Sequence, residues 1–126
     1  MSPSAELHYK TIVELAPLIE SRELSPVDLT QEMLDRIELL DGTLKAYATL
    51  TPELALEQAR QAEQEIAAGR YLGPMHGIPV AGKDQFFTKG IRTTGGSNIL
   101  KDLVPNEDAT VIANLNAAGA VLLGKL

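Results

Sequence analysis

His76-Gly-Ile-Pro-Val-Ala-Gly-Lys-Asp84 is the stretch on which the fold class of this chain turns. Ile78 to Ala81 form a short apolar run bounded by glycines, which reads as a buried strand entered through a turn at Gly77. Pro79 weakens that strand as a central one, because a ladder donor is lost there. Lys83 follows the run, with Asp84 beside it and Phe86-Phe87 close behind.

Working outward toward the C-terminus, Asp108 or Asn106 can cap a helix over about 109–118, with Val111, Ile112 and Leu115 as its apolar stripe and Gly119 as its stop. Ala120 to Leu123 then read as a second short buried strand. Toward the N-terminus the sequence is helical in character. Thr11 and Glu14 form a capping-box pattern ahead of a helix over 12–21, which Pro17 should kink or shorten. Ser25-Pro26, with Asp28 in the first turn, starts a second helix with the stripe Leu29, Met33, Leu34, Ile37 and Leu40, and Gly42 as its stop. Leu44 to Leu50 alternate loosely enough to be a strand, and Thr51-Pro52 repeats the start signal. The third helix, 52–68, carries a shallow face of small residues, Ala55, Ala59 and Ala62, suited to close packing on a flat partner. Strands separated by helices indicate an α/β architecture.

Composition sets outer bounds. The chain has 126 residues, 44% of them apolar and 22% charged, the balance of a soluble globular protein with enough length for one domain. A net charge of −6 argues against a phosphate-binding nucleic-acid surface and against a polybasic membrane patch. The charge divides unevenly: residues 1–70 carry a net −7 and residues 71–126 a net +1, so the first part reads as solvated helices and the second as more buried. With no cysteine there is no disulfide, thiolate zinc site or thiol nucleophile. Met1 to Lys10 show no leader pattern and no run approaches a membrane span, so a cytoplasmic protein is the default expectation.

Few motifs carry chemistry on their own. Gly119 to Lys125 fit Gly-x-x-x-x-Gly-Lys, but the middle is an apolar strand and Leu126 stands where a hydroxyl would hold magnesium, so the match reads as chance. His8 and His76 are far apart and lack a metal-ligand spacing, and each reads as a turn or surface histidine. Thr93-Thr94-Gly95-Gly96-Ser97 could hold an anion through its backbone, although such loops are more often simple turns. Lys83, if partly desolvated after the apolar run, would have a lowered pKa and an amine able to act as a base; on spacing alone, a surface lysine paired with Asp84 is the better reading.

Four ordered motifs change that balance. His76 to Asp84, Thr88-Lys-Gly-Ile-Arg-Thr-Thr-Gly-Gly-Ser97, Asp108-Ala-Thr-Val111 and Ala118-Gly-Ala-Val-Leu-Leu-Gly-Lys125 together resemble the N-terminal part of the amidase signature family, and the earlier helices fall in the order seen there. The resemblance implies a mixed sheet with helices packed on it, incomplete in this chain, and makes residues 1–126 the leading portion of one amidase domain: 1–70 mainly helical, 71–126 the strands and the Gly-rich segment. It implies a Ser-cisSer-Lys triad in which Lys83 is the lysine. As a neutral amine Lys83 would take a proton through the bridging serine, so that the second serine attacks the amide carbonyl and forms an acyl-enzyme that water releases.

Both serines belong to a Gly/Ser-rich region that in the family lies farther along the chain, and Ser97 is not their counterpart. Gly82 stands where the family commonly has a larger apolar residue, and Gln85 where asparagine is frequent. The resemblance thus implies a small-molecule amide as substrate, no cofactor or metal, no direct nucleic-acid contact, and no turnover from residues 1–126 alone. Within the family the A subunit of a glutamine-dependent tRNA amidotransferase, which releases ammonia from glutamine, is the second reading. A non-catalytic truncated paralogue, self-associating or bound to partner subunits through exposed strand edges, is the third.

Overall fold

The computed structural model of the chain describes residues 7–126; residues 1–6, part of the stretch inspected for a leader, lie outside the described residues. Helix α1 spans Ile12–Glu20 and opens on the expected capping box: the Glu14 N–H donates to Thr11 Oγ1 at 3.3 Å and the Thr11 N–H to Glu14 Oε2 at 2.7 Å. Pro17 sits inside it, and the carbonyl deprived of a partner is that of Val13, a residue 83% exposed where water can serve instead.

Helix α2, Pro26–Leu44, is capped as read, with Ser25 Oγ accepting from the Val27 and Asp28 N–H groups. Its end is not at Gly42. The helix runs two residues farther to Leu44, because Asp41 supplies the stop: its carbonyl accepts from Lys45 N–H, and its carboxylate from Ala46 N–H at 2.7 Å. The strand read over 44–50 therefore shrinks to β1, Thr49–Leu50. Helix α3, Pro52–Ala67, begins after Thr51 as expected, but Thr51 does not cap it; its hydroxyl donates to the Leu122 carbonyl at 2.9 Å and ties the helix start to the sheet.

Strand β2 is Pro79–Gly82, helix α4 is Thr110–Ala117 and strand β3 is Val121–Lys125. Neither Asp108 nor Asn106 caps α4. Ala109 is its N-cap residue, and the Asp108 carboxylate accepts instead from Lys89 N–H at 2.7 Å and from the Asn116 side chain at 3.3 Å. Gly119, at φ +81°, ends the helix as read.

The sheet has the order β1-β3-β2, with β3 parallel to β2 and antiparallel to β1. Pro79 thus lies on an edge strand among the described residues, where its missing donor is tolerated. Central β3 is buried along its whole length and is longer than the 120–123 run, continuing through Gly124 and Lys125. Ala55 and Ala59, both wholly buried, let α3 lie close on Val121 and Leu123, while a second core gathers Leu15, Ile19, Leu29, Ile66 and Ile78. The architecture is mixed α/β, with helices packed on a small mixed sheet.

One irregularity in the sheet decides where Lys125 points. Val80 pairs with Leu122 but Ala81 pairs with Gly124, so Leu123 is skipped and β3 carries one extra residue. Simple alternation would place Lys125 with Val121 and Leu123 under α3. After the bulge it lies with Leu122 and Ile112 instead: a Cβ built on Gly82 would meet Ile112 Cδ1 at 3.3 Å, Lys125 Cε at 3.7 Å and Leu122 Cδ1 at 3.9 Å. A side chain at position 82 would thus lie against this same group and press closely only on Ile112.

Candidate active site

Lys83 stands at the carboxyl end of β2, beside the parallel end of β3, the edge of an open α/β sheet where ligands are usually bound. Its backbone is held on both sides by Leu126: the Leu126 N–H donates to the Gly82 carbonyl at 2.8 Å, and the Asp84 N–H donates to the Leu126 carbonyl at 2.7 Å. The Lys83 carbonyl accepts from Phe86 N–H at 3.0 Å, closing a turn. The Lys83 side chain is exposed. Desolvation by the preceding apolar run is therefore not found here: the run is buried against β3, while the lysine beyond its end projects from the sheet edge.

Asp84 does not pair with Lys83 in the described structure. It is buried, its Oδ2 accepts from the Thr94 hydroxyl, and its Oδ1 has no partner among the described residues. The Asp84 carbonyl takes the Gly95 N–H, the Gly96 N–H goes to Thr94 Oγ1, and the Ser97 N–H to the Thr94 carbonyl. The backbone donors of Thr93, Gly95, Gly96 and Ser97 are thus engaged within the chain, which supports the turn reading over an anion cradle.

Below this turn lies a group the sequence reading missed. Lys125 is wholly buried, and its Nζ donates to the Phe86 carbonyl at 2.6 Å, Thr88 Oγ1 at 2.8 Å and Thr93 Oγ1 at 2.9 Å. Burial holds its pKa below the ordinary 10.5, opposed by the charges of Asp84 and Asp108. The signal was present as the Gly-Lys pair of the chance P-loop match: a charge closing a wholly apolar strand must find partners inside.

His76, read as a turn or surface residue, is buried. Its Nδ1 accepts from Leu72 N–H at 3.1 Å, which puts the ring proton on Nε2, 2.9 Å from Glu65 Oε2. His8 lies instead near Glu32, at 3.8 Å, and against Tyr9. Hydrogen bonds from Gln61 and then from His76 hold the Glu65 carboxyl below its ordinary 4.5, against the effect of burial. A folded pKa below the unfolded one means that this contribution to stability is complete above 4.5 and is lost as pH falls through the folded value. Denaturant unfolding across that acid range is expected to show a shallower loss of stability for Glu65→Gln than for the parent, and equal slopes would remove Glu65 from the account. Glu14, lowered chiefly by its backbone bond to Thr11, acts with the same sign and remains in both proteins.

The amidase family profile matches residues 28–126, more than half of the chain. The chain belongs to the amidase family. Its similarity to curated amidase-family proteins includes 53% identity over 95% of its length to the A subunit of the glutamyl-tRNA(Gln) amidotransferase of Methylococcus capsulatus, and 47% over 91% to a putative amidase of Mycobacterium tuberculosis. The chain spans only about a quarter of the length of these relatives, 24% of each. Among solved structures, the native peptide amidase of Stenotrophomonas maltophilia superposes with a TM-score of 0.87 and 38% identity, over 98% of this chain and 25% of that one. The amidase signature resemblance, and the α/β fold expected from it, are borne out.

Proposed function

We propose that this chain forms the lysine-bearing portion of an amidase that hydrolyses a carboxylic amide, with Lys83 as the proton acceptor. The observation that supports it is positional. Lys83 projects, exposed, from the joined carboxyl ends of two parallel strands, on a backbone fixed by hydrogen bonds to Leu126 on either side. Such a site presents an amine at a defined place without engaging it among the described residues. The serines that would use it are supplied, in this reading, by sequence beyond these residues: one passes its proton toward Lys83, and the other bonds to the amide carbonyl and expels the amine. Water then frees the carboxylic acid. No helix among the described residues is long and apolar enough to cross a membrane, and a cytoplasmic setting accords with this reading.

The test uses two proteins: this chain alone, and a chimera in which it replaces the aligned quarter of the putative amidase of Mycobacterium tuberculosis. Small carboxamides are expected to be hydrolysed by the chimera in a Lys83-dependent manner and not by the chain alone. Turnover by the chain alone that vanishes with Lys83→Ala would show that a nucleophile lies within these residues.

The amidotransferase reading draws support from the higher identity to the Methylococcus sequence, 53% against 47% for the putative amidase. Glutamine then becomes the amide, and other subunits become partners. Placing the chain in both full-length backgrounds, and comparing how fully it restores each host's own turnover relative to the segment it replaces, separates the two readings.

A further inference from the structure

We propose that Lys125 is the positioning residue for Lys83, fixing the turn on which that amine stands; this rests on the reading of Lys83 as the proton acceptor. An ammonium has three donors, and Lys125 directs all of them into one segment, Phe86 to Thr93, which follows Lys83 in the chain. The two threonines are oriented for it. Thr88 Oγ1 donates to the Phe86 carbonyl at 3.0 Å and Thr93 Oγ1 to the Ile91 carbonyl at 3.1 Å, so each hydroxyl proton is directed away and lone pairs remain for the lysine.

The path to Lys83 is short. Phe86 is bonded at both ends, its N–H to the Lys83 carbonyl and its own carbonyl to Lys125 Nζ. The β3 bulge aims the side chain there; without the extra residue, Lys125 would point under α3 into an apolar layer. Gly124 is part of the device. Its φ is +159°, and a Cβ on it would lie 2.3 Å from the Thr49 carbonyl oxygen. A methionine of similar length would fill the same space, at some cost in stability because the acceptors that Lys125 serves lose their donor. What a methionine cannot do is grip three oxygens of the loop. The same grip leaves no Lys125 donor for a nucleotide phosphate, so the Gly-x-x-x-x-Gly-Lys pattern has a purely internal use here.

The test is made on the chain itself, comparing the parent with Lys125→Met. Backbone hydrogen exchange reads the 84–95 loop, and competitive amine labelling across a pH series reads the reactivity midpoint of Lys83 by peptide mass. In folded Lys125→Met, protection of the Asp84, Phe86 and Gly95 amides is expected to fall about tenfold or more. The Lys83 midpoint is expected to shift by roughly a few tenths of a pH unit, because the amine no longer keeps a fixed place relative to the buried Asp84 carboxylate once its turn is released. A purely structural Lys125 would alter stability and leave that midpoint in place.

The chain has no cysteine, so Lys125→Cys can be aminoethylated in the unfolded state and refolded to restore an ammonium at nearly the same reach. Both readouts are then expected to return toward the parent. A folded Lys125→Met chain with unchanged loop protection and an unchanged Lys83 midpoint overturns the proposal. Should Lys125→Met not fold, Thr93→Val, which removes one acceptor, decides by the same two readouts. Failure of the proton-acceptor reading would show separately, in the Lys83 variants of the chimera.

Discussion

Lys83→Ala in the chimeric amidase is expected to lower kcat for a carboxamide by about a thousandfold, within the range of roughly 10²–10⁴ ascribed to a positioned general base. The Lys83 side chain is exposed and has no hydrogen-bond partner among the described contacts, so its truncation should leave the melting temperature of the chain almost unchanged. That separates a chemical loss from a folding loss. Lys83→Arg sharpens the test. Arginine keeps the positive charge but does not give up its proton in the working range, so it cannot become the neutral base, and it should be nearly as inactive as alanine. If Lys83 served only to attract an anionic group, arginine would preserve much of the rate. Retention of more than about a tenth of kcat by Lys83→Arg, a loss far smaller than removal of a base produces, would sink the assignment.

The elements that position Lys83 were largely legible, because local chemistry determines them. The helix starts at Thr11 and Ser25 are satisfied by near neighbours in sequence, and the Ile78–Ala81 run shows itself by its apolar side chains although its backbone partners lie on β3; each stands close to where the sequence pattern puts it. Two of the departures share a cause, a polar group that chose a distant partner over a local one, and the third is a local side-chain cap. Thr51 spends its hydroxyl on Leu122 of β3 rather than on its own helix, and Asp108 spends its carboxylate on Lys89 and Asn116. Asp41 closes α2 where Gly42 had appeared to do so. None of these choices alters a hydrophobic period, so no pattern of apolar residues could reveal them.

The site divides in the same way. The motif resemblance pointed to Lys83 by its neighbours in the chain, whereas its supporting network joins Lys125 to residues 32 to 39 positions earlier in sequence. The decisive step is the single skipped residue in the β2–β3 register. A bulge leaves the composition of a strand unchanged and reverses which side of the sheet its last residues meet. His76 was misread for a related reason. It looked like a turn residue because glycine and proline surround it, yet the turn is folded inward, and the ring is held between the Leu72 N–H and Glu65.

That inward histidine gives Gly119→Ala a large expected cost to folding. At φ +81° an added Cβ would come within 2.4 Å of His76 Cδ2 and 3.1 Å of Cγ. The ring cannot step aside freely, because moving it breaks the bond from Leu72 N–H or the one to Glu65. Left-handed backbone costs alanine about 1–2 kcal/mol and overpacking adds about 1–3, so a loss of roughly 2–5 kcal/mol is expected from urea unfolding. Gly69→Ala is the matched control: its φ is +85°, but nothing lies within 4 Å of the added carbon, so it should lose only the backbone part. Truncating the ring as well, in Gly119→Ala with His76→Ala, should make the glycine substitution cheaper than it is beside the intact histidine. Equal losses for Gly119→Ala and Gly69→Ala would mean that the ring yields and the contact does not constrain the fold. The consequence reaches the site, since the Gly77 N–H donates to the Gly119 carbonyl at 2.9 Å. This bond joins the amino ends of β2 and β3, the two strands whose carboxyl ends present Lys83 and bury Lys125. A displaced Gly119 would shift one strand against the other, and in the chimera it should reduce amide turnover even at temperatures where the protein remains folded.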